Sequence, residues 1–141
     1  MNKRMILKLS LFVLLVAGCA ATTPFSPSSP RADSVIVYVF RPESPLSRGV
    51  MLQLNVNHEN KGKLLNNAYI PVIARPGMIE FELKGAGFPY SKYASLTLEG
   101  ARAGEVYYIK AKPGLLGAFD LLVLNEEAGR SEIRSALLYA Q

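Results

Sequence analysis

The 141-residue chain is short of the residues from which small domains build cross-links, with one cysteine, Cys19, and one histidine, His58. A single cysteine forms no disulfide within its own chain, and a thiolate zinc site needs several. Both are excluded for a monomer, so burial alone must hold the fold. No block of lysine or arginine is present to follow a phosphate backbone, and nucleic acid is not implied as a partner. No apolar run reaches the roughly 20 residues that cross a bilayer as a helix. The chain also lacks a Gly-x-Ser-x-Gly elbow, an internal repeat and a phosphate loop, because Gly85-Ala86-Gly87 leads into Pro89 and Tyr90, not into a helix start.

What is present first is an export signal. Lys3, Arg4 and Lys8 form a cationic start, an apolar stretch runs from Leu9 to Val16, and small residues close it. Val16-Ala17-Gly18-Cys19 resembles the bacterial lipoprotein box in position, flanks and residue size. The resemblance implies a signal peptide over residues 1–18, a diacylglyceryl group on the Cys19 thiol and an acyl chain (palmitate or similar) on the new amine. Several chains at about 0.8 kcal/mol per buried CH₂ hold a protein on a membrane where one chain binds marginally. Ala20 follows the cysteine where aspartate usually signals inner-membrane retention, so the expected address is the periplasmic face of the outer membrane. The competing reading, an ordinary signal peptide, leaves a lone exported cysteine without a purpose. Three of the 16 basic residues leave with the signal, so the mature chain has 13 against 11 acidic ones and its formal charge falls from +5 to +2.

Residues 19–33 read as the lipidated cysteine and a tether. Pro24, Pro27 and Pro30 recur every third residue among serines and threonines, which predicts an extended, solvated segment reaching roughly 40 Å. The domain itself is expected over residues 34–141. Val35 to Phe40 is apolar on both faces, as a central buried strand is. Leu52, Leu54 and Val56 alternate with Met51, Gln53 and Asn55; Ile79, Phe81 and Leu83 alternate with Glu80, Glu82 and Lys84. Further short runs stand at 62–65, 69–74, 95–99, 105–111 and 120–124, the last again apolar on both faces. Pro71 marks its run as an edge or irregular strand, Pro76-Gly77 as a turn with φ > 0 at glycine. Ala128, Ile133, Ala136 and Leu137 suggest a short C-terminal helix, weakened by about 1 kcal/mol at Gly129. The fold class is therefore all-β: an antiparallel β-sandwich or flattened barrel of seven to eight short strands with one terminal helix.

Several of these runs carry a resemblance. Val37-Tyr38-Val39-Phe40-Arg41-Pro42, Gly49, Gly62-Lys63-Leu64, Asn66-Asn67, Tyr69, Pro76-Gly77 and Gly104-Glu105-Val106-Tyr107-Tyr108-Ile109 together resemble a family of Gram-negative lipoproteins known only as a domain of unknown function. The likeness extends over nearly all of residues 35–124. It implies a periplasmic β-sandwich and transfers no catalytic residue. Asn67 stands where that family often has glycine, and asparagine also tolerates φ > 0.

The chemistry-bearing residues are few. A metal site or a Ser-His-Asp hydrolase would both need His58, the latter with Asp33 or Asp120; its hydrophilic surroundings read instead as a solvated turn. Glu80 and Glu82 lie roughly 7 Å apart on one strand face, but general acid chemistry wants a buried carboxyl and the buried face is the opposite one. Two loops are the better contact candidates. Phe88, Tyr90 and Tyr93 stand beside Lys84 and Lys92, a composition that stacks on sugars, packs on a partner or closes the sandwich end. Leu115, Leu116 and Phe119 form a loop too apolar for free solvent, which plugs the core or meets a partner or the membrane. The expectation is a non-enzymatic binding or assembly module without cofactor or metal, its alternative a binder of glycan or peptidoglycan fragments through Tyr90 and Tyr93.

Overall fold

The structure is a computed structural model describing residues 22–85, 92–114 and 118–139, with backbone alone for Lys92 and Tyr93. The signal stretch, Cys19, Phe88, Tyr90, Leu115 and Leu116 lie outside the described residues, as does the Tyr93 side chain. The strands are β1 (Thr22–Pro24), β2 (Val35–Arg41), β3 (Leu52–Val56), β4 (Glu59–Leu64), β5 (Ala68–Ala74), β6 (Gly77–Gly85), β7 (Lys92–Ala101), β8 (Val106–Pro113), β9 (Phe119–Leu124) and β10 (Leu137–Tyr139). A 3₁₀ turn covers Pro45–Ser47, and helix α1 spans Glu126–Ile133. One sheet has the order β1-β10-β5-β2-β8-β9, the other β4-β3-β6-β7, and no barrel closes.

Alternation builds the core between the sheets. Leu52, Leu54 and Val56 of β3 and Ile79, Phe81 and Leu83 of β6 meet Val35, Val37 and Val39 of β2. Glu80, Glu82 and Lys84 stay on the outer face, as expected from their spacing. The outer face of β2 is covered as well: Ile36, Tyr38 and Phe40 pack with Tyr69, Tyr108, Ile133 and Ala136. This is why that run is apolar on both sides. Asn125 caps α1, its side chain accepting from the Ala128 amide at 2.9 Å. Gly129 faces the sheet so closely that a Cβ there would lie 2.3 Å from Cγ of Tyr108. The glycine that weakens the helix is the residue that lets it dock.

Two ladders are parallel, β2 with β8 and β5 with β10, a feature absent from the antiparallel expectation. Parallel neighbours need a crossover; between β2 and β8 it includes β3, β4, β6 and β7 of the four-stranded sheet, and between β5 and β10 it includes β6, β7 and α1. The Gly104 amide donates to the Ser34 carbonyl at 2.9 Å and the Ile36 amide to the Glu105 carbonyl at 3.2 Å, which starts β8 beside the beginning of β2. The predicted turns hold, with Asn67 at φ 55° and Gly77 at φ 116°. Pro71 stands opposite Tyr38, and β10 reaches β5 only at Ala68, so Pro71 lies on an edge.

The tether is the main correction. Thr22–Pro24 pairs with β10, Phe25 sets its ring edge-on against Tyr38 and Tyr69 with centroids 5.0 and 5.4 Å away, and the Ser28 amide donates to the Tyr38 hydroxyl at 2.7 Å. The folded unit thus starts at Thr22 at the latest, not at residue 34. Proline spacing describes a stretch that has nothing to bury, and Phe25 gives this one something to bury.

Candidate functional site

Two surfaces gather the residues with chemistry. The first is the outer face of the four-stranded sheet. Registers set Asn55 beside Glu82 and Glu82 beside Ser95, and the next row sets Glu80 beside Thr97. These residues and His58 line a shallow groove of about 250 Å³. Gln53 donates to Asn55 Oδ1 at 3.0 Å, and Lys84 Nζ lies 3.1 Å from Glu82. The groove is rich in hydroxyl, amide and carboxylate groups, the partners a polyhydroxylated ligand needs. Both glutamates are accessible, so the pair lacks the burial that makes a general acid.

His58 enters through backbone geometry. Asn57 and His58, at φ 48° and 67°, form the two-residue tip joining β3 to β4, where a hairpin turn demands left-handed residues. Asn57 fixes that tip to β6: its amide donates to the Glu80 carbonyl and its Oδ1 accepts from the Glu80 amide, both at 2.9 Å. The imidazole Nε2 then lies 3.4 Å from Glu80 Oε2 and is largely exposed. His58 is a solvated turn residue, as its surroundings suggested, and its acidic neighbour is Glu80, not Asp33 or Asp120. Among the described residues no three His, Cys, Asp or Glu side chains converge as a metal site, and no helix is long and apolar enough to cross a membrane.

The second surface is β9. It is the last strand of its sheet, hydrogen-bonded to β8 on one side and to no strand on the other among the described residues, though β7 of the other sheet comes close to it. Its run is apolar on both faces, like that of the central β2, yet its position is an edge. Leu122 is 39 % and Val123 47 % exposed, and adjacent strand residues point to opposite faces. Phe119, in contrast, is buried at the sandwich end, its ring under the Arg41 guanidinium at 5.1 Å. Of the apolar-loop candidates it is the one described, and it fills the core instead of a surface.

Arg41 itself escaped the sequence reading. It is fully buried and donates to the carbonyls of Val50 at 2.7 Å, Leu64 at 3.3 Å and Ser47. Burial pulls its pKa below the usual guanidinium range. The signal was its parity, since Val35, Val37, Val39 and Arg41 share the core face; apolar residues on the other face hid it. Comparison with family models, with curated proteins and with solved structures gives no match.

Proposed function

We propose that this chain is a lipoprotein anchored through Cys19 on the periplasmic face of the outer membrane, its sandwich a non-enzymatic binding or assembly module for a protein partner. The lipoprotein box and the resemblance of residues 35–124 to the Gram-negative lipoprotein family support the address. The observation that carries the partner reading is β9, an edge strand with an apolar residue exposed on each face. Long exposed edges are normally blunted by lysine, proline or a bulge. β9 has one charge, Asp120, and neither lysine nor proline. A partner strand laid along it gains main-chain hydrogen bonds and covers Leu122 and Val123.

A photo-crosslinking residue at Leu122 of the full chain in intact cells is expected to capture one discrete protein. Crosslinks no stronger than at exposed Glu99 would refute the edge. Cys19→Ala is expected to abolish fatty-acid labelling, and persistent labelling would refute the anchor. The polar groove beside His58 supports the second reading, a glycan or peptidoglycan-fragment binder. It predicts that muropeptides shift the amide resonances of Ser95 and Thr97 while leaving those of β9 unmoved.

A further inference from the structure

If Cys19 carries acyl chains, the distance from the bilayer to the fold is set by very little chain. Only Ala20 and Ala21 separate Cys19 from β1. At most about 3.6 Å per residue places Cys19 within roughly 11 Å of Thr22. A domain held so closely rests against the lipid surface, and the registers say which part does. Pro24 pairs with Leu137, and Leu137 with Ala68; β10 runs parallel to β5, and β1 antiparallel to β10. Thr22 is therefore level with Ile70, and β1 is entered from the Ala74 end of β5. Ile73 lies about 10 Å along the strand from that level and two strand spacings, about 10 Å, across.

That end of the molecule carries an apolar patch with no protein cover among the described residues. Ile73 is 72 % and Met78 66 % exposed, and both line one shallow depression of about 220 Å³ with Pro76, Arg75 and Lys61. Glu59, the one acid in the same lining, is paired to Lys61 at 2.7 Å, which leaves Arg75 as the cation facing outward. Aliphatic side chains beside an arginine suit the boundary of a phospholipid leaflet, where the chains take the methyl groups and the phosphates take the guanidinium. We propose that Ile73, Met78 and Arg75 form a membrane-contact patch that lays the Ala74 end of the sandwich on the leaflet holding the Cys19 anchor. Its occupant is lipid, and it rests on the lipoprotein reading above. The same geometry points the opposite end, with Leu46, away from the membrane.

Acylation consumes the only native thiol, so a cysteine placed elsewhere in the full-length protein can be labelled alone. Ile73→Cys, Met78→Cys and Leu46→Cys variants, each carrying an environment-sensitive fluorophore, are reconstituted in phosphatidylethanolamine–phosphatidylglycerol vesicles with nitroxide-labelled lipid. Severalfold stronger quenching at 73 and 78 than at 46 is expected. Equal quenching at all three, with mass spectrometry showing acylated Cys19, would overturn the patch and leave the anchor standing. An unmodified Cys19 would remove the anchor and the patch together.

Discussion

A guanidinium inside a sandwich is costly unless its donors are used, and at Arg41 the two Nη atoms reach the carbonyls of Ser47, Val50 and Leu64, while Nε has no partner among the described residues. Arg41 therefore ties the chain between β2 and β3 to the end of β4, above the Phe119 ring. Arg41→Met fills a similar space but strands those carbonyls, each worth about 1–3 kcal/mol when buried and unpaired. A loss of about 3 kcal/mol in urea unfolding is expected. Gly129 gives a test with a sign. Alanine favours a helix interior over glycine by about 1 kcal/mol, yet its Cβ would fall on Cβ, Cγ and Cδ2 of Tyr108, near the root of the ring where it cannot swing away. Gly129→Ala should lower stability by about 2 kcal/mol as overpacking outweighs propensity, read from the shift in denaturation midpoint.

Elements, unlike single residues, succeed or fail by what covers them. The outer face of β2 is covered by α1 and by the segment after β1, joined through Phe25, Tyr38, Tyr69 and Tyr108. Phe25→Ala should cost about 2 kcal/mol, less than the 3–5 of a fully enclosed phenylalanine, and should open residues 25–33 to limited proteolysis. The aromatic layer also sets an alkaline limit. Burial raises the phenol pKa of Tyr69 and of Tyr108. Unfolded phenols titrate near pH 10, so the stability tied to these neutral rings is complete below that value. It falls as pH rises through the higher folded values, because the unfolded chain gives up its protons first. The denaturation midpoint should drop above about pH 10, and Tyr108→Phe should flatten that drop.

At the scale of the whole molecule, the exposed apolar residues fall into two separate places. Exposed Ile73 and Met78 lie at the Ala74 end of β5, and the six-stranded sheet ends on its other side in β9. On the proposed membrane patch, Leu122 and Val123 of β9 would stay clear of the lipid. Val123→Lys should leave unfolding within about 0.5 kcal/mol of the parent, as surface changes do, and should abolish the crosslink at Leu122. A lost crosslink with lost stability would instead mean that the strand itself had come apart.

Apolar runs, period-two alternation and turn residues are local properties, so the eight strands from β2 to β9, the inward face of β3 and β6, and the left-handed turn residues Asn67 and Gly77 were legible in the sequence. Part of the candidate groove was legible for the same reason, since Glu80 and Glu82 had to face outward once Phe81 faced in. What stands opposite a residue is not local. Two runs apolar on both faces look alike as strings, yet β2 is central because β5 and β8 pair with it and is buried outside because α1 and Phe25 cover it, whereas β9 is an edge because among the described residues only β8 pairs with it. Arg41 inside the sandwich, Gly129 against Tyr108, and a proline-spaced segment held down by one phenylalanine were likewise decided only when distant residues met. Pattern along the chain sets which face of a strand is apolar; only the packed structure determines what that face is for.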